Sequence, residues 1–98
     1  MHVVADLCVI PLGVGVSVSS YIADCQKVFI DMGIKHEIHA YGTNLEGDWD
    51  DVMMAVKRCH EVVHQNGAPR ISTALKIGTR TDRVQTMKDK INSVCDKL

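Results

Sequence analysis

Residues 35–46, KHEIHAYGTNLE, carry the decision about the fold. Residues 35–41 read as one strand, Gly42 turns the chain, and residues 43–46 read as a short second strand. A helix pattern flanks the pair on each side. Upstream, Val18, Ile22, Cys25, Phe29 and Met32 recur at helical spacing, with Ser17 placed to cap the helix and Gly33 to stop it. Downstream, Gly47 and Asp48 open a helix whose apolar stripe is Val52, Val56, Cys59 and Val63. Asp48, Asp50 and Asp51 sit in its first turn, where negative charge complements the dipole, and Gly67 with Pro69 closes it.

Further out, residues 3–10, VVADLCVI, alternate as a strand ended by Pro11 and Gly13, and residues 70–77, RISTALKI, form the last strand. After Gly78 a third helix is expected from near Asp82. Its apolar positions, Val84, Met87, Ile91, Val94 and Leu98, make a narrow seam suited to docking on one groove. The order β-α-β-β-α-β with a C-terminal helix predicts an α+β fold: a ferredoxin-like sandwich with a four-stranded antiparallel sheet, as one domain over residues 1–98. Such a sheet has helices on one face only. What covers the other face becomes the functional question.

Of the 98 residues, 46% are hydrophobic and 23% charged, the mix of a soluble globular domain rather than a disordered segment. Lys and Arg number 11 against 12 Asp and Glu, so no basic face for nucleic acid is expected. The stretch around Arg80, Arg83, Lys88 and Lys90 is locally basic but diluted by Asp82 and Asp89, and reads as a solvated helix face. No apolar run approaches the roughly 20 residues of a membrane span. The apolar first twelve residues are interrupted by Asp6 and follow no basic segment, so they do not read as a signal peptide. The expectation is a cytoplasmic protein with neither nucleic-acid nor membrane partners. The 4 cysteines include no Cys-x-x-Cys pair, and Cys25, Cys59 and Cys95 fall on helix stripes as core thiols.

Giving each strand's more apolar set to the helices places Ala5, Leu7, Val9, Ile38, Ala40, Leu45, Ile71, Leu75 and Ile77 in the core. Alternation then sends Asp6, Cys8, Ile10, Glu37, His39, Tyr41, Asn44, Glu46, Ser72, Ala74 and Lys76 to the open face. With the first and last strands as antiparallel neighbours, Asp6 and Lys76 can pair across them. Cys8, Ile10 and Ala74 nearby argue for cover by another subunit, since so apolar a bare sheet face would be sticky. The expected interface set is Asp6, Cys8, Ile10 and Lys76.

Residues 60–64, His-Glu-Val-Val-His, spell the zinc-protease motif H-E-x-x-H on a helix. A third ligand motif is missing, and a chain of this size has no second lobe to form a cleft. Metal and catalysis are therefore not expected. Gly13-Val14-Gly15 lacks the lysine of a Walker loop and the third glycine of a dinucleotide loop, and reads as a flexible lead into a helix.

The stretches VIPLG (9–13), SSYIA (19–23), YGTNLEGDWDDVM (41–53) and LKIGTRTDR (75–83) resemble a known family, the small cytosolic thiamine-binding proteins of bacteria, archaea and fungi. The likeness runs from residue 3 to about 95. Its most specific parts are G-T-x-x-E-G, Gly42 to Gly47, and the Lys76-Ile77 strand end with its Arg-Asp-rich turn. The resemblance implies the ferredoxin-like fold, sheets paired into homodimers and often dimers of dimers, and binding of thiamine or a related pyrimidine without catalysis or cofactor.

Thiamine presents a thiazolium cation, which favours a carboxylate or an aromatic face, and an aminopyrimidine, which favours polar groups beside a stacking surface. The candidate ligand-binding set is Tyr41, Thr43, Asn44 and Glu46, with Asp6 and Glu37 adding negative potential and Trp49 a possible wall. The sequence thus points to a non-enzymatic oligomeric binder of a small molecule. The alternative is a structural or regulatory module whose open face serves self-association alone.

Overall fold

A computed structural model describes all 98 residues. The elements are β1 (His2–Leu12), α1 (Ser19–Met32), β2 (Lys35–His39), β3 (Gly42–Asp48), α2 (Trp49–Gln65), β4 (Arg70–Gly78) and α3 (Met87–Cys95). The strands form one antiparallel sheet in the order β2-β3-β1-β4, the ferredoxin-like arrangement that the tight β2–β3 connection predicts.

The core forms where β1 and β3 meet α1 and α2. Val3, Ala5, Leu7 and Val9 of β1 and Leu45 of β3 pack with Cys25 and Phe29 of α1 and Val52, Ala55, Cys59 and Val63 of α2. Each large apolar side chain so buried contributes roughly 1.5–3 kcal/mol. Ala55 takes the place in the α2 stripe expected of Val56, which is only half-buried. The Cys59 thiol hydrogen-bonds Cys25, and that bond together with burial pushes it well above the usual thiol range. Cys95 is exposed and Cys8 half-buried, so two of the four cysteines are core thiols.

Several element boundaries differ from the sequence expectation, among them the end of β3, which runs on through Gly47 to Asp48 rather than stopping at Glu46. β1 does not stop at Pro11 but runs through it to Leu12. β3 pairs with β1 only as far as Leu7, so Pro11 sits where β1 has a single neighbour, the edge setting that a missing N–H tolerates. β2 ends at His39, and Ala40 with Tyr41 makes the turn. α1 starts at Ser19 with Val18 as N-cap and no side-chain cap, so Ser17 does not cap it. The Val18 carbonyl accepts from the Tyr21 and Ile22 amides and closes the first turn by itself. α3 begins five residues later than near Asp82, because Thr86 and Asp89 form a reciprocal capping box while Arg80 occupies the Asp82 carboxylate.

Gly42 opens β3 directly against β1. A Cβ there would lie 2.5 Å from the Leu7 carbonyl oxygen and 3.3 Å from Asp6 Oδ1. Gly42→Ala is expected to cost about 2 kcal/mol, as overpacking against backbone does. In calorimetry the melting midpoint should fall by on the order of 10 °C. An unchanged midpoint would show that the strands can part there without loss.

Candidate functional site

The register sorts the polar residues onto the face away from α1 and α2. Asp6 stands opposite Asn44 of β3 and Lys76 of β4, Cys8 opposite Ala74, and Ile10 opposite Ser72. Glu37 pairs with Asn44 and Lys35 with Glu46 at the β2 edge. Thr43 falls on the other side, level with Leu7 and Ile38, and is 4% exposed.

Two of the expected contacts take other partners. Asp6 lies across from Lys76, but its Oδ1 meets His39 Nε2 at 2.7 Å, and Lys76 pairs with no carboxylate. Glu46 is 8% exposed although it belongs to the open face. Its cover is the start of α3: the Met87 amide donates to Glu46 Oε1 at 2.6 Å, and Lys35 Nζ lies 3.7 Å from Oε2. A carboxylate at a helix's first turn satisfies an otherwise free amide and complements the dipole. Glu46 therefore latches α3 onto the sheet.

A cavity of about 580 Å³ lies beside this latch, between the sheet and residues 79–91, with Asp6 and Asn44 in its wall. The connecting segment 79–86 is irregular, bends at Thr81 and Asp82, and carries Arg80 bonded to Asp82, which holds the Asp82 carboxyl down at about 2.

A second cavity, about 610 Å³, opens on the α1 side, where β3 stops short of the end of β1. Its wall combines Phe29 and Ile22 of α1, Ile38 of β2 and the Tyr41 turn, and includes no lysine or arginine. Tyr41 is 87% exposed rather than laid on the open face, because β2 ends two residues before it. At the inner end Gln26 Nε2 donates to Thr43 Oγ1 at 2.9 Å. That leaves Gln26 Oε1 to accept and the Thr43 hydroxyl proton to donate. Main-chain groups of β1 beyond Leu7 on the β3 side have no strand partner there. Gln26 escaped the sequence reading, since a polar residue beside a helix stripe carries no signal of its own.

The candidate residues thus divide. Tyr41 and Thr43 line the α1-side cavity, Asp6 and Asn44 the open-face cavity, Glu46 is the latch, and Glu37 is exposed on β2. The two histidines of H-E-x-x-H are engaged locally: His60 Nε2 lies 2.6 Å from Thr73 Oγ1, and His64 Nδ1 lies 2.8 Å from the Ala68 carbonyl. No group of three His, Cys, Asp or Glu is placed to hold a metal ion. No helix is long and apolar enough to cross a membrane.

The family model for thiamine-binding proteins matches residues 5–95. The chain belongs to the thiamine-binding protein family. Among relatives, the UPF0045 protein sll0230 of Synechocystis is 64% identical over 94 residues, covering 96% of this chain and 78% of the relative. The UPF0045 protein ECM15 of Eremothecium gossypii is 40% identical, covering 100% and 94%. Protein MJ1052 of Methanocaldococcus jannaschii has a solved structure that superposes with a TM-score of 0.89 at 39% identity, covering 97% of both chains. A Thermotoga maritima protein, TM0486, provisionally named a thiamine biosynthesis/salvage protein, shares the fold with a TM-score of 0.81 at 21% identity, over 96% and 99% of the two chains.

In this member of the thiamine-binding protein family, two residues of G-T-x-x-E-G have structural duties: Gly42 admits the Leu7 carbonyl and Glu46 holds α3. Glu46→Ala should free the Met87 amide and cost about 1–3 kcal/mol, the penalty for a buried group left unpaired. Amide hydrogen exchange along α3 should speed up while exchange in β1 stays slow. Equal protection of α3 in both proteins would mean that the latch is not what holds the helix.

Proposed function

We propose that this protein is a non-enzymatic binder of thiamine or a related aminopyrimidine, and that the ligand sits in the α1-side cavity. The observation that carries the reading is the pairing of Gln26 and Thr43 at the inner end of an apolar cavity whose wall has no lysine or arginine. An aminopyrimidine donates from its exocyclic amine and accepts at a ring nitrogen. Gln26 Oε1 and the Thr43 hydroxyl supply the matching acceptor and donor, with free β1 main-chain groups as further partners. Tyr41 offers an aromatic face to the thiazolium. The open-face cavity, with its four basic side chains, would repel the same cation. Membership of a family named for thiamine binding supports the ligand class, as does the provisional thiamine role of the Thermotoga protein of like fold.

We also infer that the chain works as a homo-oligomer, a dimer or a dimer of dimers, in the cytoplasm. Copies would meet through Asp6, Cys8, Ile10 and Lys76 on the open face. Ile10 is exposed, as are Val84, Ile91 and Val94 near and on α3, which is more apolar surface than a lone sheet face carries without cover.

In titration calorimetry thiamine should bind the wild-type protein, and Gln26→Ala or Tyr41→Ala should each weaken it about tenfold, the loss of one good contact. Absence of heat at millimolar thiamine would remove the ligand. Unchanged affinity in both variants would remove the cavity. Light scattering at micromolar protein should give a dimer or tetramer, and a monomer would contradict the assembly.

A further inference from the structure

We propose that the cavity between the open sheet face and residues 79–91 binds a small organic phosphate. The site is separate from the thiamine cavity and has the opposite charge preference; it lies on the open face and shares Asp6 and Lys76 with the surface through which copies would meet, so the anion would sit at the border of that contact.

The argument begins with charge. The whole chain has a formal net charge of −1, yet Lys76, Arg80, Arg83 and Lys90 converge on this one cavity. Arg80 is taken up by Asp82, but Lys76, Arg83 and Lys90 have no carboxylate partner within ion-pairing distance. Asp6, the one carboxylate in the wall, is committed to His39. Three cations without counter-charge around one cavity favour a polyvalent anion.

Hydrogen-bonding capacity points the same way. The backbone amides from Thr79 to Gln85 donate to no backbone carbonyl, and only that of Asp82 meets a side chain, its own carboxylate. Threonine hydroxyls of residues 79 and 81 join them in the wall. Free amides on an irregular, bent segment beside basic side chains supply donors for a group with several acceptor oxygens. One polar atom of the lining residues is also unmatched: Nε2 of His2 is shut off from solvent and has no partner. Beside the cations the wall also holds the apolar side chains Val4, Val84, Met87 and Ile91. That combination fits a phosphate carried on an organic body better than inorganic phosphate.

The test is calorimetry on the full-length chain with phenyl phosphate, inorganic phosphate and phenol as probes. Phenyl phosphate should bind more tightly than either of the others and weaken as salt is added. Arg83→Gln and Lys90→Gln should each weaken it about tenfold, as expected for loss of one charge-assisted contact. Both side chains are exposed, so the variants should fold, which their unchanged affinity for thiamine would register. Amide shifts on adding phenyl phosphate should concentrate at residues 79–85. Equal binding by wild type and both variants would overturn the proposal. So would phenol binding as well as phenyl phosphate, inorganic phosphate binding as tightly, or thiamine displacing phenyl phosphate.

Discussion

With Val3, Ala5, Leu7 and Val9 all withdrawn from water on one side, β1 has no freedom of register: a slip of one residue would send Asp6 into the core and those four side chains outward. Because β1 is flanked by β3 and β4, its register is handed to both neighbours and through β3 to β2. Asn44 and Lys76 come level with Asp6 for that reason, and Thr43 is turned towards α1 to meet Gln26. The positions of the polar groups are thus consequences of an apolar constraint.

The same sheet separates two chemistries. On the helix side, a short β3 leaves a gap that apolar residues and Tyr41 wall without any lysine or arginine. On the open side, the segment after β4 brings its basic residues over the sheet, and α3 is fastened there by Glu46 and by its own capping box. Alternation along the strands points the two sets of side chains to opposite faces of the sheet. One chain can therefore present one surface suited to a cationic heteroaromatic and another suited to an anion.

The fold was legible because its signals are local and periodic. The alternation of residues 3–9, the stripes of α1 and α2 and the absence of a helix between β2 and β3 each survive into the structure. The errors arise where periodicity outlasts the element. Val84 keeps step with Met87, Ile91 and Val94 and so extended the apparent helix, although the chain turns helical only after Thr86. Tyr41 keeps step with His39 in the same way, although the strand has already ended. At the site, the side of the sheet that Glu46 occupies could be read from alternation. Its burial could not, because the cover arrives from a residue forty-one positions later. The gap beside Tyr41 was equally hidden, since it depends on the unequal reach of β1 and β3 rather than on any residue's type.

Placing the first strand at the centre of the sheet has a cost in time. The β1–β4 ladder joins Val4 to Gly78, and the β1–β3 ladder joins His2 to Asp48. Pairings this far apart in sequence close large loops and slow the approach to the native state. During synthesis β1 emerges first and must wait through α1 and β2 for its first partner. Its second, β4, arrives only after α2. Until then one of the most apolar segments of the protein is half-paired and open to non-native association.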